Sequence, residues 1–226
     1  FDYISTIEPQ LSYDSSGYKN KITKTGVLKW NPDSPRFSGC TKFLDGSYLR
    51  VSTPLKDADT ASFSFWFNMD GAVENQYSAI FIPVGSPTAA NGIWLSVNTE
   101  KVGLWAYRAG HTPNYHKAGN QIEKTGWHHA VFVWNRGTSI WYLDGAQYGG
   151  IVDTWDTESL ASSLDYSIGD SYTGTSWSGT PFTGRLSDFR IYSTALSAED
   201  ILTLYKTSGI IDNKNNIYSY EFVEEA

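Results

Sequence analysis

Short runs in which apolar and polar residues alternate recur along the chain and predict β-strands. The run "ASFSFWFN" (61–68) places Phe63, Phe65 and Phe67 at every second position, which indicates a strand with one face in a hydrophobic core. Gly, Pro, Asn and Asp separate such runs, and these residues are typical of turns. We predict strands at Tyr48–Ser52, Ala61–Asn68, Ser78–Val84, Ile93–Asn98, Lys101–Tyr107, His128–Trp134, Ser139–Leu143, Tyr166–Gly169 and Gly184–Tyr192.

Two pairs of these strands form predicted hairpins. The segment "IWLSVNTEKVGLWAY" turns at Asn98–Glu100, and "HAVFVWNRGTSIWYLDG" turns at Asn135–Thr138. Both turns contain residues that tolerate the backbone conformations of tight connections. The pattern therefore predicts an all-β fold of antiparallel sheets.

One helix is predicted near the C-terminal end, in "LSAEDILTLYKTSG". Ser197 is its N-cap, Ile201, Leu204 and Tyr205 form its apolar face, and Gly209 follows its end. We predict one domain at 1–208. The tail at 209–226 is either an extra strand or a linker to a neighbouring domain.

The amino-acid composition and the net charge of the chain favour some classes of function and exclude others. Aromatic residues make up 15% of the 226 residues, with nine Trp and fifteen Tyr, which exceeds the need of a core and predicts that some rings face a ligand or a partner. The net charge of −7 repels nucleic acid, and no apolar run reaches the ~20 residues of a membrane span. The single cysteine, Cys40, cannot form an internal disulfide and is predicted to be a small buried residue.

Two adjacent histidines, His128 and His129, look like candidates for catalysis or metal binding. Neighbouring side chains of a strand point to opposite faces, so the pair cannot converge on one ion or substrate. We expect one of them to pack inside and the other to lie near the surface of the hairpin. His111 and His116 lie in a polar loop with no Glu or Cys at a ligand spacing.

Several segments, in order, carry a family resemblance. "GWHHAVFVWNRGTSIWYLDGAQYG" begins with Trp and His at the start of a strand and ends in Tyr, a variable residue, Asp and Gly. It is joined by "YDSSGYKNKIT", "FLDGSYLRVS", "ASFSFWFNMD", "YSIGDS" and "FTGRLSDFRIYSTALSAEDILTLY". Together they resemble the laminin G-like, concanavalin A-like jelly-roll superfamily. The resemblance implies a sandwich of two antiparallel sheets, one of them concave, a shape that binds glycans in many members.

The resemblance also implies a structural calcium ion, which members of the family often carry. Asp188 in "LSDFRIY" matches the position of a ligand, and Asp14, Asn20 and Asp45 are further candidates for oxygen ligands. The alternative is that an Asp beside Gly simply makes a turn. The sequence leaves both open.

Catalysis is not expected. Glucanases of this fold need two carboxylates across the sugar, presented by a Glu-x-Asp-x-Glu type of strand, and the chain has no such motif. The nearest cluster is "VDTWDTESL", with Asp153, Asp156 and Glu158. A sialidase-like route needs an arginine cluster, and the arginines are scattered along the chain.

Binding residues are predicted where aromatic and polar groups share a strand face or a loop, because sugars combine flat apolar faces with polar rims. The predicted set lies on two strands and two polar loops: Trp94, Trp105, Tyr107, Arg108, His111, Tyr115, Asp170, Tyr172 and Trp177. The alternative is that Trp94 and Trp105 complete a second hydrophobic layer, and that Tyr172 and Trp177 fold back over a sheet edge.

The sequence therefore predicts a non-catalytic module that recognises a polysaccharide or a cell-surface glycan. The tail "IIDNKNNIYSYEFVEE" resembles segments that follow such domains in bacteriophage tail and virion proteins, which predicts an exposed place on a virion or other extracellular surface beside neighbouring virion proteins. The alternative is a structural or protein–protein interaction domain without sugar binding, and a glycoside hydrolase comes third.

Overall fold

A computed structural model of the protein describes residues 20–35, 40–44, 46–52, 55, 58–69, 77–83, 93–98, 103–107, 115–118, 122, 126–150, 165–169, 180–207 and 216–220. These residues form β-strands and one α-helix, α1 (Ala198–Lys206). The strands are, in chain order, β1 (Ile22–Thr25), β2 (Leu28–Asn31), β3 (Cys40–Phe43), β4 (Tyr48–Ser52), β5 (Thr60–Asn68), β6 (Tyr77–Pro83), β7 (Trp94–Asn98), β8 (Gly103–Tyr107), β9 (Tyr115–Ala118), β10 (Trp127–Asn135), β11 (Thr138–Leu143), β12 (Ala146–Gln147), β13 (Asp165–Ile168), β14 (Thr180–Pro181), β15 (Gly184–Tyr192) and β16 (Asn216–Tyr220).

The strands form two sheets. The first sheet has the order β12-β11-β10-β5-β15-β3-β2, with β16 paired to β15. The second has the order β1-β4-β13-β6-β7-β8-β9, with the short β14 paired parallel to β6. All other pairs are antiparallel, which confirms the predicted fold class of two antiparallel sheets and one helix.

The core lies between the two sheets. Phe63, Phe65 and Phe67 are fully buried there, as their spacing predicts. The ring of Phe81 from the second sheet stacks on Tyr166 with centroids 4.4 Å apart. Burial of such large rings is the main stabilising contribution in a domain without disulfide bonds among its described residues.

All nine predicted strands are present, with ends that differ by at most two residues. The pattern misses short strands at the sheet edges, such as β1, in which only Ile22 is buried and the next three residues are exposed. An edge strand with one buried side chain has no alternation to detect. In the tail, β16 extends the first sheet.

Helix α1 packs on the outer face of the first sheet. Ser197 caps it as predicted, and the side chains of Ser197 and Asp200 bond reciprocally to each other's backbone N–H groups. Ile201 and Leu204 are buried against that face in a second apolar cluster. The helix ends at Lys206, with the Thr207 N–H bonded to the Thr203 carbonyl, whereas the predicted Gly209 lies outside the described residues.

The two histidines lie on opposite faces of β10, as predicted. His129 is buried beneath α1, where its Nε2 is 2.9 Å from the Ser64 hydroxyl. His128 is partly exposed on the other face, 5.8 Å from the Phe67 ring, and its Nδ1 is 2.9 Å from Oδ2 of Asp144. The pair therefore stabilises the fold and forms no common site.

Cys40 is fully buried, as its sequence context predicts. Its thiol donates weak hydrogen bonds to the carbonyls of Asn31 and Asp33. Burial is the main cause that raises the pKa of this thiol, to about 12, so the thiolate is not populated at neutral pH.

Candidate ligand-binding face

The outer face of the second sheet carries Trp105, the predicted binding residue of the strands whose side chain is described. Along β7 and β8 the buried residues alternate with the outward positions, so that Leu95 and Leu104 face the core while Ser96 and Trp105 do not. No helix of the described residues packs on this face; α1 packs on the other sheet. We call it the outer face of the second sheet throughout.

Trp105 lies on this face and is partly exposed. The strand register places it opposite Ser96 of β7, and Ser96 opposite Ala79 of β6. Trp105 therefore has a small neighbour on the β7 side, whereas the register places Lys117 of β9 opposite it on the other side. This is an arrangement that can accept the apolar face of a sugar.

Three further predicted residues occupy backbone positions in the same part of the sheet. The register pairs Trp94 with Tyr107, and Tyr107 in turn with Tyr115 of β9. The remaining members of the predicted set lie outside the described residues: Arg108, His111, Asp170, Tyr172 and Trp177. The binding set as a whole stays a prediction.

The sequence-based reasoning missed Arg50 of β4, which lies on the same face. Its guanidinium carbon is 5.7 Å from the ring centroid of Tyr48, in cation–π geometry. The register places Arg50 opposite Ser167, and Ser167 opposite Ile82. The alternation in "YLRVS" carried the signal, because Leu49 and Val51 are the core residues and Tyr48, Arg50 and Ser52 occupy the other face.

Solvent reaches this face at its two sides. In the middle, Ala79, Ile82 and Ser167 are buried, whereas Arg50 and Trp105 on either side are partly exposed. At the Arg50 side, the Ser52 hydroxyl donates a hydrogen bond of 3.0 Å to the exposed Asp165. Among the described groups, the Trp105 ring is thus accessible on one side of the face, and Arg50 is accessible on the other, where Asp165 bonds to Ser52 and forms no salt bridge with the guanidinium.

Asp188, the principal candidate for a calcium ligand, is buried within the first sheet. Its Oδ1 is 2.5 Å from Nε of Arg190, and its backbone has a positive φ of 49°. Burial acts to lower the pKa of Arg190, but Asp188 and Tyr192 together outweigh it and raise the pKa, so this residue is a permanent cation. The carboxylate of Asp188 is therefore already matched by a positive charge.

The other calcium candidates do not complete a site in the described part of the chain. Asn20 is described and partly exposed, whereas Asp14 and Asp45 lie outside the described residues. No group of three His, Cys, Asp or Glu side chains in the described ranges is arranged to hold a metal ion. The described residues alone do not fit calcium, and the ion stays a prediction that depends on Asp14 in the opening loop and on Asp45.

The carboxylates considered for catalysis, Asp153, Asp156 and Glu158, lie outside the described residues. The prediction that the chain is not an enzyme is therefore untested by the geometry. Among the described helices, none is long and apolar enough to cross a membrane.

Solved structures share this fold at low sequence identity. Domain 4 of AbnA, a GH43 extracellular arabinanase from Geobacillus stearothermophilus, superposes with a TM-score of 0.61 at 18% identity, over 83% of this chain and 88% of that one. A SAP-like pentraxin from Limulus polyphemus gives a TM-score of 0.62 at 16% identity, over 88% of each chain. The binding domain of botulinum neurotoxin serotype D/C gives 0.66 at 16% identity, over 85% of this chain and 48% of that one, so the protein spans about half its length.

These likenesses concern the fold, since all three identities are low. No curated protein sequence matches the chain significantly. A family model does match: that of Laminin_G_3, described as the concanavalin A-like lectin/glucanases superfamily, aligns with residues 44–202. Its described residues form two antiparallel sheets and one helix in a jelly-roll sandwich, and the chain belongs to this superfamily.

Proposed function

We propose that the protein is a non-catalytic recognition module that binds a polysaccharide or cell-surface glycan on the outer face of the second sheet. The observation that carries the proposal is the position of Trp105. It is a partly exposed aromatic ring in the middle of a strand, on a sheet face that bears no helix among the described residues, with Ser96 opposite it on β7 and Lys117 opposite it on β9. A ring in that place supports stacking against a sugar.

The other tryptophans whose side chains are described have structural surroundings. Trp66, Trp134 and Trp141 are buried. Trp127 is partly exposed, but the guanidinium of Arg185 lies over its ring at 5.3 Å. Among the tryptophans whose side chains are described, Trp105 is the best placed to meet a ligand from solvent.

The neighbouring structures support this class of ligand. The arabinanase domain was solved in complex with arabinotriose. Botulinum neurotoxin type C depends on two ganglioside molecules for cell entry, and the binding domain of neurotoxin DC was solved with SialylT. Sugar recognition is thus a recurring use of proteins that contain this fold.

Protein recognition is the second candidate. The binding domain of neurotoxin DC was also solved in complex with rat synaptotagmin II, a protein partner. A place on a virion or other extracellular surface belongs to the same proposal and is supported by the likeness of the 210–225 tail to segments in phage tail proteins.

The test is retention on an array of bacterial wall and capsule polysaccharides. We expect the wild-type protein to be retained by at least one glycan, and Trp105→Ala to lose that retention while circular dichroism shows a folded domain. Trp127→Ala removes a partly exposed tryptophan from the other sheet and should keep binding. Retention of Trp105→Ala at the wild-type level would contradict the proposed face, and no retention of the wild type would favour the protein-binding alternative.

A further inference from the structure

The described arginines differ in whether they meet a carboxylate. Three of them pair with an aspartate: Arg136 with Asp59, Arg185 with Asp33, and Arg190 with Asp188. Arg50 is the fourth, and no carboxylate of the described residues lies within salt-bridge distance of its guanidinium. In a protein with a net charge of −7, a cation without a matching carboxylate is unexpected.

The surroundings of Arg50 leave part of its hydrogen-bonding capacity unused. Its Nε is buried and has no hydrogen-bond partner among the described residues. The nearby Asp165 lies diagonally across the β4–β13 pair and accepts a hydrogen bond from Ser52 instead. A buried donor without an acceptor costs free energy. Arg50 as a whole is partly exposed, so a ligand can approach its side chain from solvent.

The Tyr48 ring holds the guanidinium in a defined position. An arginine that stacks on an aromatic ring loses little further side-chain freedom when it binds, and its planar fork suits the two oxygens of an acidic group. Arg50 lies on the same face of the sheet as Trp105. Their strands, β4 and β8, are four steps apart, roughly 19 Å at the usual spacing of strands.

We propose that Arg50 recognises an anionic group and that the glycan bound on this face is an acidic polysaccharide, which carries carboxylate, sulfate or phosphate along an extended chain. This inference rests on the proposed function and adds the chemical class of the ligand. An extended chain is needed because one sugar unit cannot contact both Arg50 and Trp105. The overall negative charge repels polyanions, so preference for an acidic glycan requires a specific cationic contact of this kind.

The experiment measures affinity for three matched pairs of polymers that differ in charge: polygalacturonate and its methyl ester, dextran sulfate and dextran, and phosphorylated and dephosphorylated mannan. We expect the wild-type protein to prefer the acidic member of at least one pair by about tenfold or more, as a charge-assisted bidentate contact gives. Arg50→Gln should remove this preference and keep the affinity for the neutral member. Arg136→Gln removes the same charge from an exposed ion pair on the first sheet and should keep the preference.

The outcomes separate this inference from the proposed function. Equal affinity of the wild type for both members of every pair would overturn the acidic ligand while glycan binding stands. A loss in Arg50→Gln that affects acidic and neutral members equally would overturn the role of Arg50. If Arg50→Gln does not fold, Arg50→Met, which keeps the apolar stem over Tyr48, takes its place. If no glycan of any kind is retained, the proposed function fails and this inference with it.

Discussion

At the scale of single residues, Asp144 shows why the most recognisable motif of the chain is structural. Its Oδ1 accepts a hydrogen bond of 2.8 Å from the His129 N–H, and its Oδ2 is 2.9 Å from Nδ1 of His128. Asp144 also adopts a positive φ of 50° ahead of Gly145, which starts the turn. One carboxylate thus joins the beginning of β10 to the end of β11, and this accounts for the Trp-His and Asp-Gly ends of the hairpin.

The ionisation of Asp144 makes the stability of the hairpin depend on pH. Burial acts to raise the pKa of Asp144, but the hydrogen bonds and charges of His128 and His129 together lower it below the ordinary value of 3.8. Because the folded pKa is the lower one, the stabilisation is complete above about pH 4 and is lost as the pH falls through the folded pKa.

We therefore expect Asp144→Asn to lower the free energy of unfolding at pH 7 by about 1 kcal/mol, a modest value because the side chain is 34% exposed and solvent screens its charge. Urea denaturation at several pH values measures this. The difference from wild type should shrink as the pH falls below 4. Asp59→Asn, in an exposed pair with Arg136, is the control and should change little at either pH. A difference that stays constant down to pH 2 would contradict the argument.

At the scale of elements, α1 attaches to the first sheet through one face only. Ile201 is fully buried, whereas its neighbour Leu202 is 38% exposed. Tyr205 stacks on Trp66 with centroids 5.7 Å apart and also lies beside His129. The helix therefore covers apolar and aromatic side chains of the first sheet that would otherwise be exposed to solvent.

The two neighbouring positions give a matched test of that packing. Ile201→Ala should lower the free energy of unfolding by about 2–4 kcal/mol because it leaves a cavity under the helix. Leu202→Ala removes a similar side chain from the solvent side and should cost no more than about 0.5 kcal/mol. Denaturant unfolding compares the two, and similar losses in both variants would show that the helix is not held as described.

The element scale also shows where sequence patterns fail. In β15 a bulge between Ser187 and Arg190 shifts the register, so that Leu186, Phe189 and Ile191 all reach the core. A strict period of two places Leu186 and Phe189 on opposite faces. The alternation of apolar and polar residues does not reveal the extra residue of the bulge or the positive φ of Asp188. It does predict the long strands β5 and β10, and the capping residues predict the helix.

At the scale of the whole molecule, the fold was predictable from its pattern and its family resemblance, and the candidate site only in part. Trp105 was predicted because the alternation along its strand and the preceding one collects Trp, Tyr, Ser and Asn on one face, which is typical of a face turned to solvent. Arg50 was missed because its lack of a carboxylate partner depends on which strands are neighbours, and β4 pairs with β13, more than a hundred residues later in the chain. Contacts between distant segments cannot be read from local periodicity.

The predicted calcium ion belongs to the scale of the whole molecule, because its candidate ligands come from segments that are far apart in the sequence. If Asp14 and Asp45 bind the ion, calcium at a hundred times its Kd should raise the Tm by roughly 5–10 °C, the effect of a ligand specific for the folded state. Thermal melting with calcium and with a chelator measures this. Asp45→Asn should remove the shift and Asp59→Asn should keep it. Identical curves with calcium and chelator would contradict a structural ion.

The position of α1 has a consequence for how copies of the domain would work together. In the described part of the chain, α1 covers the outer face of the first sheet and no helix covers that of the second, so the two outer faces differ. A scaffold that binds several copies through the face that carries α1 would present the outer faces of their second sheets in parallel. The weak ligand contacts of single copies would then combine across the array. The avidity would depend on the spacing of the copies as much as on the residues of each binding face.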